Sequence, residues 1–401
     1  MEELFSRDAG AMRPSPIRAL AKITADPVII SLAGGHPSPD AFPLGRIGEI
    51  LAGMANNLDP ASLQYGPTAG NAELRREIVG LLGGRGIAAG DEEVILCSGS
   101  QRGLDLLGRV LLDPGDAVLI EVPSYPGAIA CFRNLRARLV GVQQDEDGLR
   151  IDELESVLRG LRDEGVRPKL LYTVPTFQNP SGATLAADRR LELLEISRRE
   201  GFMILEDDPY SELYFDEGGA DGIRPIAAAD AGDVIYLSSF SKILSPGLRT
   251  AFIRGPRELI ARVELAAQAC DICSSSLDQQ IVLELCRGDF LPQHLAGVRR
   301  LYSEHGEALL AALDESMPQG VEWNRPRGGF FLWMRLPERI DAEEMLGLAI
   351  ERGVAYVSGR HFCVDGSGRN ALRLTFSKES PERLQEGAKI LANVIRDELS
   401  A

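Results

Sequence analysis

The sequence lacks the features that mark membrane, secreted and low-complexity proteins. It has no apolar run long enough to span a bilayer and no N-terminal apolar core of signal-peptide length. It also has no internal repeat, linker or low-complexity segment. Its 401 residues, 44% hydrophobic and 25% charged, indicate a soluble globular protein of roughly two domains.

The sequence also lacks an excess of positive charge and a cysteine pattern typical of disulfides or zinc sites. The formal net charge is −16 and no basic tract offsets it, which argues against nucleic acid or an anionic membrane as a partner. The six cysteines include one C-x-x-C, Cys270 with Cys273, but neither a second pair nor a histidine pair follows at zinc spacing. We expect ordinary packing there, no metal site, and reduced thiols in a cytoplasmic protein.

Lysine is scarce, because only five of the 43 basic residues are lysine. One of them, Lys242, lies in "DVIYLSSFSKILSPGLRTAFI", between two apolar runs and close to the hydroxyls of Ser239 and Ser241. A lysine is almost never fully buried without a partner. The Lys242 side chain must therefore either reach solvent or react with another group.

Apolar runs alternate with helical patterns from residue 94 onward. Such continuous runs are typical of strands buried on both faces of a parallel sheet. Between them, residues 185–200 form a helical pattern with Leu191, Leu194 and Ile196 on its apolar face. The alternation predicts an α/β fold with crossover connections. The runs cover residues 93–100, 116–127, 168–182, 201–210, 233–242 and 248–256.

The pattern changes toward the C-terminus. Helical stretches follow Asp278, and strand patterns over residues 327–337 and 370–378 precede a final helix. These elements predict a smaller α+β domain. The expected organisation is an N-terminal arm or small-domain segment over residues 1–30, a large domain with a mostly parallel central sheet flanked by helices over 31–285, and a small C-terminal domain over 286–401.

Polar side chains stand at the carboxyl ends of five predicted strands. In an open α/β sheet, ligands bind at that edge. Packing alone does not account for five polar strand ends, so we expect a ligand site there. The residues are Ser98 to Gln101, Tyr125, Asn179, Asp207 with Tyr210, and Ser239 to Lys242.

One group of residues at this edge favours a phosphate. The segment "CSGSQRGLDLL" places hydroxyls and small residues between a strand and a helix, where free N–H groups and the helix dipole bind anions. A helix cap at Ser98 or Ser100 is the alternative interpretation. Arg249 adds a cation able to bind phosphate bidentately, and Ser239 and Ser241 add hydroxyl donors. Together these residues predict phosphate binding.

A second group suits a heteroaromatic ring. Asp207, in "LEDDPY", could hold a ring nitrogen in its protonated form, since a carboxylate at a strand end needs a partner. Asn179 and Tyr210 could donate to a ring oxygen, and Tyr125 offers a flat face for stacking. Alternatively, Asn179 is a turn residue before Pro180 and Tyr125 is a core aromatic.

The two groups and the lysine match the parts of pyridoxal 5′-phosphate (PLP). Its phosphate, ring nitrogen, ring oxygen and ring face each meet a suitable residue. Lys242 then has a reason to be buried, because as a Schiff base with the cofactor aldehyde it is chemically committed. We therefore predict PLP as the cofactor and Lys242 as its covalent anchor.

Nine ordered segments, spread from residue 13 to residue 378, carry a family resemblance. With them the chain resembles the fold-type I PLP enzymes, and more narrowly the class I/II aminotransferases close to α-aminoadipate/kynurenine aminotransferases. The resemblance implies the fold-type I architecture, with PLP bound in the large domain. The segments are "RPSPIRALAKI", "SLAGGHPSPDAFP", "LQYGPTAGNAELR", "SGSQ", "PSYPG", "PTFQNPSG", "EDDPY", "SFSKILSPGLR" and "NALRLTFS".

The resemblance also implies residue roles at the cofactor. Lys242, Asp207 and Tyr125 would be catalytic, with Asp207 on the pyridine nitrogen and Tyr125 stacked on the ring. A tyrosine of the neighbouring subunit reaches the phosphate in such enzymes, and Tyr65 matches it, which implies a homodimer with shared active sites. The other cofactor contacts would be Ser100, Gln101, Asn179, Tyr210, Ser239, Ser241 and Arg249.

Five residues match substrate positions. Arg373 would grip the substrate α-carboxylate, a bidentate task suited to guanidinium, although a surface arginine on a strand is the alternative. Gly35 and Asn179 would lie beside the substrate. Arg18 would meet a distal carboxylate or would only pack the N-terminal arm. His36 would contact the substrate side chain or would bond to the loop backbone.

The implied activity is PLP-dependent transfer of an amino group between an L-amino acid and a 2-oxo acid by a ping-pong mechanism. The amino acid would be 2-aminoadipate or one of aromatic or branched-chain type, with glutamate and 2-oxoglutarate as the second couple. The alternative is another PLP reaction on the same scaffold, namely a β-lyase, decarboxylase or racemase. A ligand-sensing domain of a DNA-binding regulator is disfavoured, because no basic region of substantial length precedes "SLAGGHP".

Overall fold

An eight-stranded mixed sheet forms the centre of the larger part of the molecule. The computed structural model describes residues 4–5, 9, 16–56, 60–215, 224–230 and 232–400. In chain order the strands are β1 (Ile30–Ser31), β2 (Val94–Cys97), β3 (Ala117–Val122), β4 (Arg138–Asp145), β5 (Gly148–Leu149), β6 (Pro168–Thr173), β7 (Met203–Asp207), β8 (Val234–Ser239), β9 (Ala251–Arg254), β10 (Glu322–Trp323), β11 (Phe331–Arg335), β12 (Val354–Ala355), β13 (Val357–Ser358) and β14 (Ala371–Thr375). The large sheet has the order β2-β9-β8-β7-β6-β3-β4-β5.

Helices cover both faces of this sheet and fill the C-terminal part. They are α1 (Pro16–Ile23), α2 (Leu44–Asn56), α3 (Ala72–Gly84), α4 (Ser100–Leu111), α5 (Pro126–Asn134), α6 (Ile151–Asp163), α7 (Ala187–Glu200), α8 (Arg257–Cys270), α9 (Ser276–Cys286), α10 (Phe290–Ser316), α11 (Met345–Glu351) and α12 (Pro381–Ser400). None of these helices combines the length and the apolarity needed to cross a membrane.

The predicted α/β fold with a mostly parallel central sheet is confirmed. Strands β4, β3, β6, β7 and β8 run parallel to their neighbours in that order. Strand β9 differs, because it pairs antiparallel with both β8 and β2. The connection from β8 to β9 spans residues 240–250 and is too short for the crossover that a parallel pair requires.

Alternation along the strands divides the sheet into two apolar faces. On β8, Val234 and Tyr236 pack in one core, and Ile235 and Leu237 pack in the core on the opposite face. This is why the strand sequences read as continuous apolar runs. The buried carboxylates Glu121, Glu206 and Asp207 accordingly occupy the last two positions of their strands.

Helix α7 corrects one detail of the predicted pattern. Leu194 and Ile196 are buried as expected, but Leu191 is 54% exposed. The buried stripe includes Arg190 and Leu193 instead, at helical spacing with Leu194. Leu191 lies one position off that stripe and faces solvent.

A second, antiparallel sheet forms the C-terminal part, in the order β10-β11-β14-β13. It packs with α12 and the second half of α10 around a separate core. Strand β1 joins this part, because Ile30 pairs in parallel with Val354 of β12. Helix α10 spans the two parts, since Leu295 packs in a core of the large sheet and Leu313 in the small one. The boundaries after residues 30 and 285 stay predictions.

Candidate active site

Lys242 follows β8 and reaches across to the N-terminal segment. Its Nζ donates to the carbonyl oxygen of Gly35 at 3.0 Å and lies 5.7 Å from the centroid of the Phe330 ring. Burial lowers the pKa of Lys242 to about 8, with help from the charges of Arg373 and Arg249. A sizeable fraction of the side chain is therefore the neutral amine near neutral pH, the form that acts as nucleophile or base.

Asp207 is the last residue of β7, and only one of its two carboxylate oxygens accepts a hydrogen bond from the described residues. Oδ2 accepts a hydrogen bond from the Tyr172 hydroxyl at 2.8 Å. Oδ1 is buried and has no hydrogen-bond partner among the described residues. Burial raises the pKa of Asp207 to about 7, against the effects of Tyr172 and Lys242. A buried acceptor without a donor is costly, so a protonated ring nitrogen fits this position.

The neighbouring carboxylate, Asp208, is fully engaged. Its Oδ2 accepts from the Arg85 guanidinium and from the Tyr236 hydroxyl, both at 2.7 Å. Its Oδ1 accepts from the backbone N–H of Ser211 at 3.0 Å. These partners hold the pKa of Asp208 below its usual value despite burial. Of the two adjacent carboxylates, only Asp207 has an oxygen that remains available to accept a hydrogen bond from a ligand.

Arg249 closes against the N-terminus of α4 and forms a cationic cradle there. Its Nη2 donates to the carbonyl oxygen of Ser98 at 3.0 Å. Gly99 caps the helix at φ 94°, and a Cβ on it would lie 2.3 Å from Arg249 Nη2. Only glycine fits this position. Ser100 and Gln101 open the helix, so their N–H groups and the guanidinium together suit a phosphate.

Ser239 and Ser241 are joined to each other near this cradle. Their hydroxyl oxygens are 2.9 Å apart, and the Ser239 hydroxyl also accepts from the Ser241 backbone N–H at 3.0 Å. Both residues are buried at the end of β8. The hydroxyls are thus held in place beside the segment that carries Lys242.

Tyr125 begins α5 and is linked to the α4 terminus. Its hydroxyl donates to Gln101 Oε1 at 3.2 Å, and Gln101 Nε2 donates to the Gly127 carbonyl at 2.9 Å. Burial raises the pKa of Tyr125, whereas the charges of Arg373, Arg18 and Arg249 act to lower it. The hydroxyl is therefore a neutral donor near neutral pH.

Arg373 lies on β14 and is buried, which excludes the surface alternative. Its Nη1 donates to Asn179 Oδ1 and its Nη2 to the carbonyl of Ala33, at 2.8 Å and 2.5 Å. The guanidinium lies over the Phe331 ring at 4.3 Å. Burial lowers the pKa of Arg373 to about 10, so it stays charged near neutral pH. A buried, uncompensated cation of this kind suits a carboxylate ligand.

Asn179 also contacts Tyr210, and this contact limits the burial-driven rise of the Tyr210 pKa. The two residues lie together as the sequence predicted, with Tyr210 edge-on to Phe331 at a centroid distance of 5.7 Å. Asn179 is thus shared between a phenol and the Arg373 guanidinium. Asn179 and Tyr210 therefore lie next to the buried cation of Arg373.

The N-terminal segment lines the opening of the site. A Cβ on Gly35 would lie 2.7 Å from Phe331 Cζ, so this glycine permits close approach. His36 is exposed, and its carbonyl accepts from the Ser377 hydroxyl at 2.7 Å. Partial burial of its ring, and then the charges of Lys242, Lys378 and Arg373, lower the His36 pKa. The opening is therefore electropositive.

Arg18 and Tyr65 lie at the edge of this arrangement. Arg18 is exposed on α1, and its charge reaches Tyr125. Tyr65 is 75% exposed, and no hydrogen bond joins its hydroxyl to the described residues of the site.

Cys270 is exposed and Cys273 half-buried, and both thiols are free.

Sequence reasoning missed several residues that hold the site together. Tyr172, Tyr236 and Phe330 lie inside runs that look like core, and only their contacts separate them from packing residues. Glu121 is also buried, where it accepts from Thr173 and from Gln178 beside Asn179. A polar residue within an apolar strand was the available signal for Glu121 and the two tyrosines.

The model of the family described as aminotransferase class I and II matches residues 46–391. The chain belongs to the class I and II aminotransferases. This family is PLP-dependent, as the unpartnered Asp207 oxygen and the Arg249 cradle lead one to expect. The chain is accordingly an aminotransferase of the fold-type I architecture.

Similar proteins cover nearly the whole chain. The aromatic-amino-acid aminotransferase 1 of Thermococcus litoralis is 40% identical over 99% of this chain and 95% of its own length. The 2-aminoadipate transaminase of Thermus thermophilus is 41% identical over 98% and 97%. The structure of Pyrococcus horikoshii kynurenine aminotransferase, in complex with PMP and kynurenine, superposes with a TM-score of 0.96 at 40% identity, covering 100% of this chain and 98% of that one.

Proposed function

We propose that this aminotransferase acts on a dicarboxylic amino acid, 2-aminoadipate or glutamate, or on an aromatic or branched-chain one, with the glutamate/2-oxoglutarate couple as one half-reaction. The observation that carries the proposal is the buried Arg373 guanidinium beside Asn179, within electrostatic reach of Lys242. An α-carboxylate bound there would bring Cα close to the amine. The cations Arg18 and Lys378 near the opening support a second carboxylate, with the neutral His36 ring beside Lys378.

The chain's own residues would hold the cofactor at five points. Lys242 would anchor it, Asp207 would pair with its ring nitrogen, and Tyr125 would stack on its ring. The remaining contacts would be Asn179 and Tyr210 on the ring oxygen, and Ser100, Gln101, Ser239, Ser241 and Arg249 on the phosphate. When bound, PLP withdraws electrons from the substrate Cα through its protonated ring.

Lys242 would transfer the proton of the substrate Cα. The free Lys242 amine would remove the proton from the substrate Cα and deliver it two atoms further along, which is the 1,3-shift that transamination requires. Its lowered pKa keeps the neutral form available for this step. Asp207 would keep the ring nitrogen protonated throughout, and Arg373 would orient the substrate through its α-carboxylate.

We also propose a homodimer with shared active sites in the cytoplasm. Tyr65 is 75% exposed within the same chain and so is free to serve a partner site. The six unpaired cysteines support the location. Mixed dimers of Lys242→Ala and Tyr65→Ala chains test the sharing. If Tyr65 acts in trans, each mixed dimer contains one intact site and regains activity that neither parent has; without recovery, Tyr65 has no role in trans.

An absorbance titration of the purified protein tests the reaction type. Visible absorption of lysine-bound PLP should give way to near-ultraviolet absorption of the amine form when the correct amino acid is added. A 2-oxo acid should restore the visible band, and a panel including glutamate, 2-aminoadipate and phenylalanine ranks the substrates. A visible band that persists while product accumulates would instead indicate the β-lyase, decarboxylase or racemase alternative.

A further inference from the structure

The adjacent carboxylates Asp207 and Asp208 belong to opposite faces of the central sheet. Asp207 accepts from Tyr172, whose ring packs in the core beside Leu205. Asp208 accepts from Tyr236, whose ring packs in the core on the other face. The two carboxylates are adjacent in sequence but lie in different environments. The cofactor face has only Asp207.

A single arginine neutralises Asp208 from the far face. Arg85 caps the C-terminus of α3, and its Nη2 lies 2.7 Å from Asp208 Oδ2 in a pair whose side chains are 19% and 1% exposed. The Arg85 guanidinium also lies 5.7 Å from the Tyr236 ring centroid and 3.7 Å, at Nε, from Glu212 Oε1. Asp208 is therefore ionised, paired and shielded from solvent.

The other charges that act on this pair are balanced among themselves. Glu206 accepts from the backbone N–H groups of Ile226 and Ala227, and Arg190 Nη1 lies 4.0 Å from its Oε1. Lys242 faces Asp207 from the cofactor side. An ionised Asp208 acts to raise the pKa of Asp207. Arg85 supplies the opposing charge, and no other described cation is hydrogen-bonded to Asp208.

We propose that Arg85 is a positioning residue of this aminotransferase, which neutralises Asp208 so that Asp207 alone sets the charge facing the cofactor's ring nitrogen. The inference rests on the proposed role of Asp207. It assigns a function to a residue that lies on the opposite face of the sheet from the cofactor. Asp208 already acts on the pKa of the adjacent Asp207, so an unbalanced charge at Asp208 would reach the ring nitrogen through Asp207.

Asp208→Asn in the holoenzyme tests this charge balance. The substitution keeps the shape of the side chain but leaves the Arg85 charge uncompensated. The pKa of the ring nitrogen should then fall by about one unit. A pH titration of the protein loaded with ¹⁵N-labelled PLP measures it directly, through the nitrogen NMR shift. The double variant Arg85→Met/Asp208→Asn removes both charges and should restore the ring-nitrogen pKa.

Tyr236→Phe is the charge-neutral control, because it removes the hydrogen bond to Asp208 and the one that Tyr236 accepts from Arg85 but changes no charge. It should leave the ring-nitrogen pKa close to the parent value, because the net charge around Asp208 is unchanged. An equal fall in the Tyr236→Phe protein, or a double variant that stays as low as Asp208→Asn, would overturn the role of Arg85. An unchanged value in Asp208→Asn would overturn it too. Failure of the parent protein to bind PLP at all would instead overturn the proposed function, and this inference with it.

Discussion

Arg373 Nη1 and Asn179 Oδ1 lie 2.8 Å apart although 194 positions separate the two residues in the sequence. Arg373 belongs to the small sheet and Asn179 to the loop after β6 of the large one. The contact therefore joins the two parts of the molecule at the site. A substrate carboxylate bound by Arg373 would sit at this junction.

Arg373→Lys should raise KM for both amino acid and 2-oxo acid and lower kcat/KM about a hundredfold. The loss corresponds to about 2.7 kcal/mol, as expected when a bidentate, charge-assisted contact becomes a single one. Steady-state kinetics measure it. Arg335→Lys, at an exposed position of the neighbouring strand β11, is the matched control and should be neutral. Unchanged KM values for Arg373→Lys would remove the carboxylate assignment.

Gly99→Ala should weaken PLP binding by an order of magnitude or more, about 1.4 kcal/mol. The new Cβ would lie 2.3 Å from Arg249 Nη2 and would force the guanidinium out of the cradle. Gly115→Ala is a close control, because Gly115 has φ 96° against 94° but nothing within 4 Å of an added Cβ. Fluorescence titration of the apoprotein gives the Kd values. Equal effects of the two substitutions would mean that backbone strain, not the cradle, is responsible.

Capture of PLP by the apoprotein should accelerate with pH and level off above about pH 8. Only the neutral amine of Lys242 attacks the aldehyde, and the pKa of this lysine is lowered from 10.5 to about 8. At pH 7 the rate should be about tenfold below its plateau. Stopped-flow absorbance in the visible region records the reaction. A rate that keeps rising through pH 10 would show an ordinary lysine pKa and contradict the burial effect.

Asp207→Ala should lower kcat by about two to four orders of magnitude while leaving a folded protein. The carboxylate that keeps the ring nitrogen protonated is lost, so removal of the Cα proton slows. Single-turnover kinetics with substrate deuterated at Cα should show a larger isotope effect than the parent protein gives. Tyr172→Phe, which deletes only the hydrogen bond to Asp207 Oδ2, should cost far less. Unimpaired turnover in Asp207→Ala would transfer the role to another group.

The sequence by itself determined the alternation of strands and helices and the chemistry of the strand ends. Apolar runs such as β7 leave room for polar residues only where the strand stops, so Asp207 and the serines before Lys242 were recognisable. It also determined the family, because nine motifs keep their order along the chain. It did not identify the cap of α4, because Ser98 or Ser100 was the expected cap and the structure has Gly99 there.

Tertiary structure alone decided which residues meet. The apolar pattern does not separate Asp207, which ends β7, from Asp208, which follows it, and only the family resemblance points to Asp207. The partners Tyr172 and Arg85, which lie far away in sequence, give the two carboxylates different surroundings. The antiparallel direction of β9 and the exposure of Leu191 were also outside local patterns. Burial sets the pKa of Lys242, and long-range hydrogen bonding sets the position of Arg373. Neither effect exists until the two sheets pack together.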